Sequence, residues 1–290
     1  MDWKNTTVLL SGAQGMLGSE LSRQMQDLAV PLIQVDIDEL DICDRASVEE
    51  FVKSNKPKIW INCSAYTAVD RCEDDAVHMQ VNGDALRDLA DICSQYSIKL
   101  VHFSTDYVFS GEFSAPIPEE QATAPLNEYG RGKLVGEENI LATSALEYLI
   151  FRIQWLYGKN GKNFVDTLLK LSKERDELKV VNDQIGRPTS TKFVSQCVLA
   201  ALDAELSGIY HLGPHDYCSW YDFASYFLRD SQCKVLPIPS EEYPTPAKRP
   251  GFSVLAVDKF ANAFPEKPRF LQSSWQDLVE DYLEKVQQSI

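Results

Sequence analysis

The chain has 290 residues, 44% of them hydrophobic and 24% charged, with a formal net charge of −15. This is globular composition, long enough for one large α/β domain or two unequal ones around a sizeable core. The acidity excludes a general nucleic-acid binder, whose partner's phosphates need a basic footprint, but it leaves room for a small anion held by a local cluster of bases.

Neither a membrane nor an export route is expected. No apolar stretch approaches the roughly 20 residues that cross a bilayer, and "MDWKNTTVLLSGAQG" lacks the basic start and long apolar run of a signal peptide. The seven cysteines are odd in number and never form Cys-x-x-Cys, so they read as reduced, buried thiols of a cytoplasmic protein.

The first half alternates between two periods. "TTVLLSG", "PLIQVD", "KIWINCSA", "IKLVHFST" and "EYLIFRI" predict strands, and the amphipathic stretches "MLGSELSRQMQDLA", "DRASVEEFVKSN", "VNGDALRDLADICSQY" and "NEYGRGKLVGEENILAT" predict helices between them. Strict alternation implies right-handed crossovers and a doubly wound, mostly parallel sheet, an α/β fold. After about residue 157 the pattern loosens to a helix "KNFVDTLLKLSKE", a strand "ELKVVND", a helix "STKFVSQCVLAALDA", a strand "GIYHL" and a helix "SWYDFASYFLRD". The proline-rich "VLPIPSEEYPTPAKRPGF" then predicts surface connections, and "SSWQDLVEDYLEKVQQ" a last helix with a Ser N-cap. We expect residues 1–157 to form a Rossmann-type NAD(P)-binding domain and 158–290 mainly a smaller α/β substrate lobe. About 191–212 is expected to return to the first domain.

Chemistry enters at the first turn. "TTVLLSGAQGMLGSEL" is a strand, then Gly12-x-x-Gly15-x-x-Gly18, then a helix. Glycines let the backbone approach a pyrophosphate, and the helix N-terminus offers free N–H groups and a positive dipole end. Asp36, 18 residues past Gly18 at the end of the second strand, sits where a ribose-binding acid is needed. With Asp38 and Glu39 beside it and no base before Arg45, it predicts NADH in preference to NADPH, which stays possible.

In the fourth helix Tyr129 and Lys133 stand four apart on one face. An ammonium there would favour the phenolate and lower the tyrosine pKa. The strand "IKLVHFST" delivers Thr105 at its carboxyl end, where doubly wound sheets bind their ligands. A hydroxyl, a phenol and an ammonium around one point suit carbonyl reduction.

The Gly12-x-x-Gly15-x-x-Gly18 loop, Thr105 at the strand end and Tyr129-x-x-x-Lys133 together resemble the extended short-chain dehydrogenase/reductases. "NCSAYTAVDRCED", "STDYVFSG", "YGRGKLVGE", "WLYG", "NFVDTLLKL", "VVNDQIGRPTST", "YHLG" and "SWYDFA" resemble more narrowly, and almost end to end, their dTDP-4-dehydrorhamnose reductase family. The resemblance implies hydride transfer from NAD(P)H to the C4 carbonyl of dTDP-4-dehydro-L-rhamnose, with Thr105, Tyr129 and Lys133 as catalytic triad and Lys133 also on the nicotinamide ribose. It implies a pyrophosphate loop of Gly12, Gln14, Gly15, Met16 and Leu17, and an adenine side at Asp41 and Ile42. Ala65, Tyr66 and Thr67 would flank the nicotinamide, and Asp106, Tyr107 and Trp155 would contact the sugar. The chain departs from the family pattern with Gly132 for the usual Ser and "NCSAYT" for "NAAAYT". Some members form dimers around a carboxylate-bound metal. Glu20 could be one ligand, but Lys192 stands where an acid is expected, so no metal is predicted and a monomer or a homodimer stays open.

A nucleotide diphosphate needs local bases, for which the second lobe offers Lys162, Arg187, Lys248 and Arg249; the two arginines lie in loops beside prolines, which can hold a guanidinium stiffly. Two other functions compete: reduction or combined epimerisation and reduction of another NDP-4-keto-6-deoxy sugar, and a non-catalytic NAD(P)-binding regulatory subunit like the β subunit of methionine adenosyltransferase.

Overall fold

The structure, a computed structural model, describes residues 1–287. Strands β1 (Val8–Ser11), β2 (Leu32–Val35), β3 (Ile59–Asn62), β4 (Lys99–Thr105) and β5 (Tyr148–Ile153) alternate with helices α1 (Met16–Asp27), α2 (Arg45–Asn55), α3 (Ala85–Gln95) and α4 (Glu128–Ala142). Beyond them come α5 (Phe164–Leu171), β6 (Glu177–Val181), α6 (Thr191–Asp203), β7 (Gly208–His211), α7 (Trp220–Phe227), β8 (Lys234–Ile238) and α8 (Trp275–Gln287). Residue 288, which the sequence pattern assigns to α8, lies outside the described residues.

Six strands form one parallel sheet in the order β7-β5-β4-β3-β1-β2. Strand alternation sorts its side chains into two core layers. Val8, Leu10, Ile59, Ile61, Val101, Phe103, Leu149 and Phe151 face one layer, with α1 and α6. Leu9, Trp60, Leu100 and Ile150 face the other, with α2 and α3. Both faces being covered, the strands are near-continuous in hydrophobicity, the condition that made them legible.

The helices begin where their capping side chains stand. Asp44, Asn127, Asn163, Ser190 and Ser219 each accept a backbone N–H of the first turn, and Ser219 with Asp222 closes a capping box. Two expectations change. The third helical stretch does not run unbroken from residue 81: Gln80–Asp84 is a π turn, and α3 follows it. The proline-rich segment contains β8, which pairs with β6 in a separate two-stranded sheet; Pro237 is tolerated because such a strand is an edge. All seven thiols are free and five are buried, but Cys43 is exposed and Cys63 only half-buried. No described helix is long and apolar enough to cross a membrane.

Candidate active site

The glycine loop is built by contact. Gly12 has φ +67°, and a Cβ on it would stand 2.7 Å from the Cys63 carbonyl carbon and the Ser64 nitrogen. A Cβ on Gly18 would stand 2.1 Å from the Gly12 oxygen, so the first turn of α1 can press on the loop only without one. Gly15 is the N-cap of α1 and supplies no side-chain cap, which leaves the first N–H groups of the helix open to an anion. Asp36 closes the loop from the side: one carboxylate oxygen accepts the Gln14 N–H at 3.0 Å, the other the Ile37 N–H at 2.9 Å.

A cleft of about 420 Å³ opens beside this loop. Gly12, Gln14, Gly15, Asp36, Asp41, Ile42, Ala65 and Tyr66 line it, all of them singled out in the sequence. Met16, Leu17, Gly18 and Thr67 do not. Leu17 packs into the core, Gly18 abuts Gly12, Met16 turns toward Gly161, and Thr67 is exposed. Sequence reasoning missed Ile37, Leu40, Cys63, Ser64, Val77 and Val81 on the same walls. Tyr66 is held by a two-way clamp, its N–H and C=O bonded to Asn82 at 2.9 Å each, with its hydroxyl on Asp75. Asn82 lies in the π turn, which turns the amide out of a regular helix.

Thr105 ends β4 and caps the turn Asp106–Val108. Its hydroxyl donates to Asp106 Oδ1 at 3.0 Å and accepts the Tyr107 N–H at 3.2 Å, and it lies near enough to the Tyr129 phenol to oppose the rise in that group's pKa. Tyr107 meets Tyr129 edge-on, ring centroids 5.9 Å apart. Burial pushes the Asp106 carboxyl up to about 6 despite hydrogen bonds from Ser253, Thr105 and Gln154. Gln154 is a second residue that the sequence did not reveal: its Nε2 reaches Ser253 and Asp106, and its Oε1 accepts the Arg187 N–H.

Lys133 corrects an expectation. Its ammonium was to lower the Tyr129 pKa, but burial pushes that phenol up, with the Asp106 and Cys72 charges adding to the effect. Lys133 instead sends Nζ to His102 Nε2, 3.0 Å away inside the sheet. The i, i+4 spacing places both side chains on one helix face, but the long stem of lysine lets its nitrogen choose β4. Burial brings Lys133 down to about 8, opposed by the Glu137 and Cys63 charges. The departure at Gly132 also has a steric reason. A Cβ there would come within 2.9 Å of His78 Nδ1, and buried His78 occupies the space that a serine would need.

The second arginine expectation also changes. Arg187 was predicted as a phosphate clamp, yet it is buried, with Nε on the Leu255 carbonyl and Nη1 on those of Pro214 and Asp216. Three of its five donors therefore brace the segments around Pro214, Asp216 and Leu255. Arg249 stands half-buried beside Tyr107, paired with Asp70 at 2.9 Å. Lys162 and Lys248 are exposed. Trp155 adopts φ +48° and stacks on Trp220, centroids 3.6 Å apart and planes 10° from parallel. At the α1–α6 face Glu20 accepts from Arg23 and Gln24, and Lys192 pairs with Asp281.

The model of the family "RmlD substrate binding domain" matches residues 6–288. The chain is 38% identical over 275 residues, 89% of its length, to the dTDP-4-dehydrorhamnose reductase of Escherichia coli K12, covering 91% of that protein. The chain belongs to the RmlD family of dTDP-4-dehydrorhamnose reductases. Within this family it is also 36% identical over 259 residues to a dTDP-4-keto-6-deoxy-D-glucose reductase of Streptomyces niveus, which covers 88% of the chain and 90% of the relative. The crystal structure of the Bacillus anthracis dTDP-4-dehydrorhamnose reductase in complex with NADP superimposes with a TM-score of 0.90 at 33% identity, over 97% of this chain and 99% of that one.

Proposed function

We propose that the chain is an NAD(P)H-dependent reductase that converts the C4 carbonyl of dTDP-4-dehydro-L-rhamnose to the alcohol of dTDP-L-rhamnose. The observation that carries this is a nucleotide-sized cleft with a glycine loop and an open helix N-terminus, together with Thr105 at the carboxyl end of β4 and Tyr129 edge-on to Tyr107 in the turn that follows it. When bound there, the dihydronicotinamide supplies the hydride and leaves oxidised. Thr105 holds the carbonyl oxygen, and Tyr129 gives it a proton as negative charge develops. A phenol kept protonated by burial suits a donor. Lys133, on the same helix face, assists that proton's return, and Asp106, Tyr107 and Trp155 shape the sugar site. Turnover of dTDP-4-dehydrorhamnose with NADH tests the reading. Faster reduction of another dTDP-4-keto-6-deoxy sugar would move it to the substrate of the Streptomyces relative. Nucleotide binding without any turnover would favour a regulatory subunit.

We further propose a preference for NADH, on the ground that a 2′-phosphate must approach the Asp36 carboxylate. The Bacillus relative binds NADP, so the family itself does not forbid the phosphate. The expected result is a higher kcat/KM with NADH, and a narrower ratio in Asp36→Ala. Because Asp36 also holds the Gln14 N–H, that variant should weaken both cofactors, and the ratio is the informative quantity. A wild-type preference for NADPH would show that this acid does not select the cofactor.

Arg249 is the remaining arginine candidate for the diphosphate. Its partner Asp70 holds the guanidinium in place, at the cost of competing with the phosphate. Arg249→Ala is expected to weaken dTDP-sugar binding by about 1.5–3 kcal/mol, the range for a charge-assisted contact, while NADH affinity barely changes. Calorimetry separates the two, and unchanged sugar-nucleotide affinity would remove Arg249 from the site. The unlinked 4-keto-6-deoxy sugar should be a very poor substrate, because remote binding energy positions the reacting carbonyl.

A further inference from the structure

A chain of buried polar groups runs from the floor of the sheet to Lys133. Trp60 Nε1 donates to Ser11 Oγ at 2.9 Å, and Ser11 Oγ to Asn62 Oδ1 at 2.9 Å. The Ser64 N–H reaches the same Oδ1 at 3.1 Å. Asn62 Nδ2 stands 3.3 Å from His102 Nδ1, and His102 Nε2 stands 3.0 Å from Lys133 Nζ. Ser11, Asn62, His102 and Lys133 are each no more than 2% exposed, so water offers no alternative partners.

Counting donors fixes the direction of every link. The indole and the Ser64 amide can only donate. Ser11 accepts from the indole, and its own hydrogen then goes to Asn62. With Oδ1 taken by Ser11 and Ser64, the Asn62 amide must present its NH2 group to His102. Nδ1 therefore accepts, and a neutral ring carries its hydrogen on Nε2, aimed at Lys133. An ammonium there would set donor against donor, whereas a neutral amine has the lone pair required. The other groups facing Lys133 are Glu137, on its own helix, and Cys63, from the segment after β3; the charges of both favour the ammonium. His102 is faced by Asn62 and Lys133.

We propose that His102 is a positioning residue for Lys133: its ring, set by Asn62, donates Nε2–H to the lysine amine, so that the tautomer of His102 and the charge of Lys133 change together. Burial pushes both groups toward their neutral forms, in keeping with this arrangement. Protonating Lys133 then requires the ring hydrogen to move to Nδ1, against the Asn62 amide. Uncompensated charge is thereby kept out of a buried site until turnover creates a phenolate on the same helix face.

Two measurements on the full chain test this. The first, nitrogen-15 NMR of the histidine rings in the unmodified protein at pH 9.5, needs no activity and no variant. Nε2–H is the expected tautomer, and Nδ1–H would overturn the proposal. The second compares His102→Gln, whose amide N–H can take the place of Nε2–H, with His102→Leu, which has no donor. Lysine nitrogen NMR, assigned with Lys133→Arg, should show Lys133 titrating about one pH unit higher in His102→Leu and close to wild type in His102→Gln. The inflection of the kcat/KM pH profile should move with it. Only this kinetic arm rests on the reductase reading. If no reductase activity is found, the two NMR results still decide the role of His102. An unmoved Lys133 titration in a folded His102→Leu protein would overturn it.

Discussion

Tyr129→Phe is expected to lower turnover by roughly 10²–10⁴-fold, the usual scale for a positioned acid. Thr105 keeps its bond to Asp106 at 3.0 Å when the Tyr129 hydroxyl is removed, so the end of β4 should not collapse. The ring should remain edge-on to Tyr107, leaving NADH affinity and melting temperature nearly unchanged. Single-turnover kinetics with saturating substrate measures the chemical step directly. A variant that keeps a third of wild-type turnover would show that the proton comes from elsewhere.

Arg152→Leu should cost about 3–5 kcal/mol of stability, because it strands a buried charge. Arg152 on β5 holds Glu137 on α4 through Nε at 3.0 Å and Nη2 at 2.6 Å, and both side chains are almost fully buried, at 4% and 1% exposure. Its Nη1 reaches the Glu119 carbonyl and His211, which burial holds neutral, at about 3. Glu137 lies one turn beyond Lys133, so the ion pair also fixes the helix that carries Tyr129 and Lys133. Replacing Glu137 with Leu as well should recover much of the loss, since no unpaired charge then remains. Urea unfolding of the single and double variants checks both statements; a single-variant loss below 1 kcal/mol would mean that Glu137 finds water or another partner.

Legibility followed the range of the interaction concerned. β1 and α1 could be read because a strand, three glycines and a helix start are contiguous in the chain, even though Cys63, Ser64 and Asp36 also constrain the loop from a distance. The side-chain caps at Asp44, Asn127 and Ser190 are local for the same reason. β8 was hidden because prolines normally argue against a strand, and only its edge position in a two-stranded sheet excuses Pro237. Val77 and Val81 reach the cleft beside the glycine loop through a short helical turn and a π turn that carry no periodic signal.

By itself the sequence determined the alternation of strand and helix, the glycine loop, the acid at the end of β2, and the placing of Thr105 at the carboxyl end of β4 and of Tyr129 and Lys133 on α4. These follow from periodicity and from connection rules that leave few topologies. Only the tertiary structure decided how the long cationic side chains are used. Arg187 is spent on three backbone carbonyls and Arg249 on Asp70, while Lys133 turns to His102. Lysine and arginine carry their charge at the end of several rotatable bonds, so sequence position sets only the sphere they can reach. Within it, burial and the need to pair every buried donor select the partner, and those partners lie 27 to 179 positions away.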